Sequence, residues 1–194
     1  MKKGLLIVLS GPSGVGKKTI WTPLMNDSQF KLAFSISMTT RSPREGEVDG
    51  KDYFFVTKQE FEQAIKENKM LEYATYVNNY YGTPKAYVEK LRNEGKNVLL
   101  EIEVQGALKI IDMFKNDDGL VSIFILPPSE SVLIERLRGR DTETKEIIDG
   151  RIKQAQWELS KSHFYQHQII NDNIDQARNQ LKSILITAIK NNEK

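Results

Sequence analysis

The 194-residue chain contains no cysteine. Disulfide staples, thiolate nucleophiles and cysteine metal sites are therefore excluded, and a reducing compartment suits it. Excess charge is also scarce: the formal net charge is +2, so no global field argues for nucleic acid or an anionic membrane. Any recognition of phosphate has to come from local clusters of Arg and Lys. No apolar run approaches the ~20 residues of a membrane-spanning helix. The one hint of export is Lys2-Lys3 followed by Leu5-Leu6-Ile7-Val8-Leu9. That run is shorter than a signal h-region and leads into Gly11-Pro12-Ser13-Gly14 rather than a cleavage site. Repeats and low-complexity segments are missing as well. The expectation is a cytoplasmic protein without nucleic-acid or membrane partners.

What is there, 39% hydrophobic and 28% charged residues, is a globular mixture long enough for a substantial core. The unbroken apolar run Leu5–Leu9 predicts a buried strand of a parallel sheet. The glycine-rich loop to Gly16 should open a helix that Pro23 kinks or cuts short. Further strands are expected at Phe34–Met38, Asp52–Val56, Met70–Val77, Val98–Ile102, Val121–Leu126 and His167–Ile170. Helices are expected over Thr57–Asn68, Pro84–Asn93 with Gly95 as its stop, Val104–Phe114, and from the Ser129 cap through Arg138. A closing helix shows an apolar face of Ile174, Ala177, Leu181, Ile184, Leu185 and Ala188. Tyr80-Tyr81-Gly82-Thr83-Pro84 reads as a turn.

Alternating strands and helices indicate an α/β fold with a mostly parallel sheet flanked by helices. Two stretches interrupt the rhythm, a strand-rich insert at about 37–93 and a charged, mostly helical segment at about 139–160. Core strands occur before, between and after them, so the chain reads as a single domain. Its core would be about 1–36, 94–138 and 161–194.

Gly11-Pro12-Ser13-Gly14-Val15-Gly16-Lys17 follows a strand and precedes a helix, the context a Walker A loop requires. Its glycines let backbone N–H groups converge on phosphates at a helix start, and Lys17 adds a charge at the β- and γ-phosphates. Lys18 stands where Ser or Thr usually binds Mg²⁺, with Thr19 next. A phosphate loop names a nucleotide and leaves the acceptor open. Arg41 and Arg44 are spaced to fork onto one phosphate, and Tyr53 and Tyr81 add hydroxyls. His163 and His167 have a helical i,i+4 spacing but no third ligand, so no metal site is read there. Trp21 and Trp157 read as packing residues.

Beyond the loop, the chain resembles the guanylate kinases over nearly its whole length. Thr39-Thr40-Arg41-Ser42-Pro43-Arg44-Glu45-Gly46-Glu47 is similar to the family's TTR-x-x-R-x-G-E, and Asp49-Gly50-Lys51-Asp52-Tyr53-Phe54-Phe55 to D-G-x-D-Y-x-F. Met70-Leu71-Glu72-Tyr73 and Asn79-Tyr80-Tyr81-Gly82-Thr83 match the remaining GMP-site segments. Leu100-Glu101-Ile102-Glu103-Val104-Gln105-Gly106, Gly139-Arg140 with Thr142-Glu143, and Asn171-Asp172 extend the likeness. One departure is Asp141, where the family usually has the second glycine of G-R-G-T-E.

The resemblance implies the P-loop nucleoside monophosphate kinase fold, with a GMP-binding insert and a helical lid. It implies transfer of the γ-phosphate of ATP to GMP, and to dGMP, in purine nucleotide metabolism and GMP recycling. ATP would be held by Gly11, Pro12, Ser13, Gly14, Val15, Gly16, Lys17, Lys18, Thr19, Arg136, Arg140 and Asn171. The GMP phosphate would meet Arg41, Arg44, Tyr53 and Tyr81, and the guanine side Ser37, Glu72, Thr83 and Glu101. Lys17, Arg41, Arg136, Arg140 and Arg151 would stabilise the transferring group. Mg²⁺ is implied as cofactor, bound mainly through ATP without a dedicated protein site. Guanine chemistry agrees: its N1 and N2 donors suit an acceptor-only carboxylate, whereas adenine would leave Glu72 buried and unpaired. A peptide-binding relative would be expected to have lost the loop or the GMP contacts, and both are retained. Monomer and homodimer both stay open.

Overall fold

The computed structural model describes residues 2–138 and 145–194. In chain order its elements are β1 (Leu6–Ser10), α1 (Lys17–Trp21), β2 (Leu32–Phe34), β3 (Met38–Thr39), β4 (Phe54–Phe55) and α2 (Lys58–Lys66). Next come β5 (Met70–Tyr76), β6 (Asn79–Pro84), α3 (Lys85–Asn93), β7 (Asn97–Glu101) and α4 (Val104–Met113). The last are β8 (Leu120–Leu126), α5 (Glu130–Arg138), α6 (Lys145–Ser160), β9 (His167–Ile170) and α7 (Ile174–Glu193). Among these helices none is long and apolar enough to cross a membrane.

Five strands form a parallel sheet in the order β2-β7-β1-β8-β9. The residues of β1 are buried throughout, as are most of β7 and β8, which is why these strands read as apolar runs rather than alternating ones. One core layer packs Leu5, Ile7 and Leu9 against Leu181 and Leu185 of α7. The other packs Leu6 and Val8 against Val88 and Leu91 of α3 and Val104, Ala107 and Ile110 of α4. From β1 the chain visits β2 and β7 on one side, then crosses to β8 and β9 on the other. A crevice for ligands is expected beyond the carboxyl ends of strands at such a reversal, and the glycine-rich loop leaves β1 at that end.

α1 is only five residues long, and Pro23 sits at the start of the 3₁₀ turn Thr22–Asn26 that comes after it. That is the shortening expected of a proline there. The second sheet, order β4-β3-β6-β5, is where the sequence reading needs correction. Phe34–Met38 is not one strand: Phe34 ends β2 in the large sheet and Met38 begins β3 in the small one. Tyr80–Pro84 is not a turn but most of β6, paired antiparallel with β5. The turn lies earlier, at Val77 and Asn78, with φ of 45° and 61°. Two residues with positive φ are the hairpin geometry that usually selects Asn-Gly, and a β-branched residue there gives no turn signal. Thr57 and Glu60 form a reciprocal capping box on α2, and Phe61 of that helix stacks on Tyr80, ring centroids 5.1 Å apart. α6 lies on α5 through Ala155, Leu133 and Leu137.

Candidate active site

The phosphate loop is held by its glycines and by Asn171. Gly16 has φ 91°, and a Cβ there would stand 2.6 Å from Asn171 Nδ2. That approach lets Nδ2 donate to the Val15 carbonyl at 2.7 Å, so Asn171, a residue assigned to ATP from the sequence, braces the loop from beneath. Lys17 Nζ donates to the carbonyls of Gly11 at 2.6 Å and Pro12 at 3.2 Å. The lysine thus curls over the mouth of its own loop. Lys18 and Thr19 are exposed. Because α1 is so short, the anion-binding capacity rests on the loop's N–H groups and Lys17 rather than on a long helix dipole.

On the small sheet, Arg41 Nη2 donates to Glu47 Oε1 at 2.8 Å, and Glu47 Oε2 accepts the backbone N–H of Arg44 at 2.7 Å. One carboxylate therefore sets both motif arginines. The bond to Arg41 holds Glu47 below the usual carboxylate range and raises the Arg41 guanidinium further above its own. The guanidinium carbon lies 5.5 Å from the Tyr53 ring centre, and Tyr53 meets Tyr81 edge-on at 6.0 Å. Burial pushes the Tyr53 hydroxyl up, so it stays a donor. Arg41, Tyr53 and Tyr81 thus form one cationic, hydroxyl-bearing cluster, with Arg44 exposed at its rim.

Glu72, on β5, is the half-buried carboxylate beside β6. Its Oε1 accepts from Thr83 Oγ1 at 2.7 Å, and Thr83 is 1% exposed. Burial raises the Glu72 pKa, partly offset by the Thr83 bond. A Cβ at Gly106, in the first turn of α4, would stand 2.6 Å from Glu72 Oε2, so the missing side chain provides the carboxylate's shelf. Glu101, at the end of β7, accepts from Trp21 Nε1 at 2.6 Å, and Trp21 stacks on Phe34 at 4.9 Å. Ser37 is half-buried, its carbonyl accepting from Phe54 N at 2.8 Å.

Arg136 is exposed in the last turn of α5, and Arg151 is half-buried on α6. Arg140 and Asp141, with the rest of their motif, lie outside the described residues. His163 sits in the 3₁₀ turn Ser162–Phe164 and His167 on β9, so the two share no helix face. Trp157 is not a core packing residue: it is 38% exposed, with Lys161 Nζ 5.8 Å from the ring centre. Sequence reasoning also missed what Glu47, Trp21 and Gly106 do. Gly106 left a signal, since a glycine in an otherwise regular helix costs about 0.8–1.0 kcal/mol relative to Ala and invites a packing reason.

The family model described as guanylate kinase matches residues 3–188. The guanylate kinase of Bacillus subtilis (strain 168) is 51% identical over 185 residues, 95% of this chain and 89% of that protein. That of Malacoplasma penetrans (strain HF-2) is 52% identical over 184 residues, 95% and 93% of the two chains. The crystal structure of guanylate kinase from Anaplasma phagocytophilum superposes with a TM-score of 0.71 at 34% identity, covering 96% of this chain and 87% of that one. The chain belongs to the guanylate kinase family.

Proposed function

We propose that this enzyme transfers the γ-phosphate of ATP to GMP, and to dGMP, giving ADP and the corresponding guanosine diphosphate in the cytoplasm. The observation that carries the acceptor is Glu72: a half-buried carboxylate with one oxygen fixed by Thr83 and the other over the Gly106 shelf. Guanine offers N1–H and N2–H donors to such an acceptor, and adenine offers an N1 lone pair in their place. Ser37, Thr83 and Glu101 complete the guanine side. Arg41 and Arg44, preset by Glu47, take the GMP phosphate with Tyr53 and Tyr81. ATP lies along Gly11–Thr19, with Arg136 at the end of α5 and Arg140 and Arg151 of the lid at about 139–160 closing over it and Asn171 beneath the loop.

An oxygen of the GMP phosphate attacks the γ-phosphorus as the bond to the β–γ bridging oxygen breaks, and ADP leaves. That oxygen is already anionic near neutral pH, so no strong base is required. The protein's work is positioning and charge neutralisation, for which Lys17 leaves its loop carbonyls for the phosphates and Arg41 holds the acceptor. Mg²⁺ arriving with ATP would supply neutralisation of the phosphate charge. The residues fit that mode, because Mg²⁺ keeps several waters and uses phosphate oxygens, and the exposed Thr19 hydroxyl is the nearest one in the chain after the loop lysine. Lys18, also exposed, has a flexible stem that can carry its charge into solvent. Incubation with Mg·ATP and GMP, then anion-exchange chromatography, should yield ADP and GDP one to one. ADP release that does not depend on GMP would refute the reading.

A further inference from the structure

Trp21 is the last residue of α1, the helix that Lys17 opens. At a spacing of i,i+4 the two lie on one side of that short helix. The indole is 7% exposed and belongs to the core layer that contains Leu9 and Leu99. It lies flat on the Phe34 ring, with centroids 4.9 Å apart and planes 10° from parallel. A buried indole N–H needs an acceptor. This one reaches across 80 residues of chain to Glu101 Oε2 at 2.6 Å.

Glu101 ends β7 in register with Leu9 of β1, just before Gly11 begins the phosphate loop. Its carboxyl therefore leaves the sheet at the edge where that loop starts, and where the chain turns into α4 and the Gly106 shelf of Glu72. The residue is half-buried. Among the described residues its Oε1 makes no hydrogen bond.

Holding a glutamate in one geometry costs rotamer entropy. The indole is already immobilised by its stack and its burial, so its N–H is a donor fixed before any ligand arrives. It also adds no charge, unlike Lys or Arg, so the carboxylate keeps its full attraction for N–H donors on a nucleotide. One oxygen is held and the other is offered, the division that Thr83 imposes on Glu72.

We propose that Trp21 is a positioning residue for the acceptor nucleotide: by holding Oε2 of Glu101 it aims Oε1 at the guanine side of GMP, and it fixes that carboxylate against the helix that carries the ATP lysine. The inference rests on the reading of Glu101 as a GMP contact. Without the indole N–H, Glu101 spreads over several rotamers and GMP has to order it on binding. That cost falls on GMP, because ATP is held by the loop N–H groups and Lys17.

Trp21→Phe keeps an aromatic ring on Phe34 and deletes the donor. The KM for GMP should rise about tenfold, the scale of one lost hydrogen bond to a charged group. Because the lost interaction serves ground state and transition state alike, kcat and the KM for ATP should stay within about twofold. Glu101→Ala should raise the KM for GMP at least as much. Adding Trp21→Phe to it should change nothing further, since both substitutions remove one interaction. Wild-type GMP kinetics in Trp21→Phe overturn the proposal, as do additive effects of the two substitutions. The two readings fail separately. GMP kinetics untouched by Glu101→Ala refute the GMP contact itself, whereas a defect in Glu101→Ala without one in Trp21→Phe refutes the part given to Trp21. Should Trp21→Phe fail to fold, Trp157→Phe leaves Trp21 as the one indole of the chain. Its Nε1–H proton resonance should move when GMP is added and stay in place with inorganic phosphate. No movement with GMP, or equal movement with both, overturns the proposal.

Discussion

Replacing Glu72 by glutamine exchanges one oxygen for an amide with almost no change of shape, and the carboxylate's two neighbours set the consequence. Oε1 is engaged by the Thr83 hydroxyl at 2.7 Å, and Oε2 lies over Gly106. Glutamine must choose. With its oxygen toward Thr83, its NH₂ points at the guanine N1–H and N2–H, donor against donor. With the amide flipped, the hydroxyl of Thr83, a residue only 1% exposed, loses its acceptor. Either way at least one hydrogen bond to a charged group is lost, worth about 1.5–3 kcal/mol. That corresponds to a fall of roughly 10- to 150-fold in kcat/KM for GMP. The KM for ATP should stay within about twofold, less than 0.5 kcal/mol, because the loop at Gly11–Lys17 is built separately. Steady-state kinetics with each nucleotide varied in turn provides the assay. The pH profile adds a second reading. Guanine needs the ionised carboxylate, and burial raises the Glu72 pKa, so wild-type kcat/KM for GMP should fall as pH drops through that raised value. This acid limb should vanish in the variant. A variant with wild-type GMP efficiency and an unchanged acid limb would refute the assignment of the guanine site.

Gly106→Ala puts a methyl 2.6 Å from Glu72 Oε2 and must displace that carboxylate. Thermal melting should show the variant as stable as wild type or more so, since Ala is about 0.8–1.0 kcal/mol better than Gly in a helix. Its kcat/KM for GMP should nevertheless fall while the KM for ATP holds; equal GMP efficiency would count against the shelf. Arg92→Met addresses stability alone. Arg92 is 2% exposed, donating to the Gly4 carbonyl at 2.8 Å and pairing with Asp117 at 2.8 Å. The Asp117 left behind is 28% exposed, so losing the charged hydrogen bonds costs about 1.5–3 kcal/mol, a drop in Tm on the order of five degrees for a chain of this size. Arg92 also holds the Asp117 pKa down, so that pair's contribution is present above the unfolded pKa and lost as pH falls through the lowered folded value. The variant's Tm should lack that part of the acid dependence, with both KM values unchanged. A catalytic defect without a loss of Tm would show that the pair serves the active site instead.

The inner strands β1, β7 and β8 were legible because they are buried nearly throughout and carry apolar runs; His167–Ile170, mostly exposed, is also read with the bounds the structure gives β9. The small sheet was less so. Its short strands alternate tyrosines with glycine and threonine, and Tyr80-Tyr81-Gly82-Thr83 carries turn residues in a strand whose partner, β5, is fixed by tertiary pairing. The hairpin turn itself has no glycine. Within the site, the phosphate loop and the two arginines announced themselves by spacing. Three supporting contacts could not, since each joins separate parts of the chain or reverses a common role. Trp21 reaches Glu101, 80 residues away; Asn171 reaches Val15 across 156; and Glu47 pairs back onto its own loop. Glu158 looked like one charge on a charged helix, and only burial sets it apart.

Selectivity among acceptors tests the central claim most directly. With Mg·ATP fixed, kcat/KM is measured for GMP, AMP, UMP and dTMP in a coupled ADP-release assay. A site that accepts two guanine N–H groups on the half-buried Glu72 carboxylate should favour GMP over AMP by a factor on the order of 10⁴, the scale reached when a polar site rejects a base that leaves it unpaired. UMP and dTMP should be poorer still. Comparable turnover of AMP and GMP, or preference for a pyrimidine nucleotide, would contradict it.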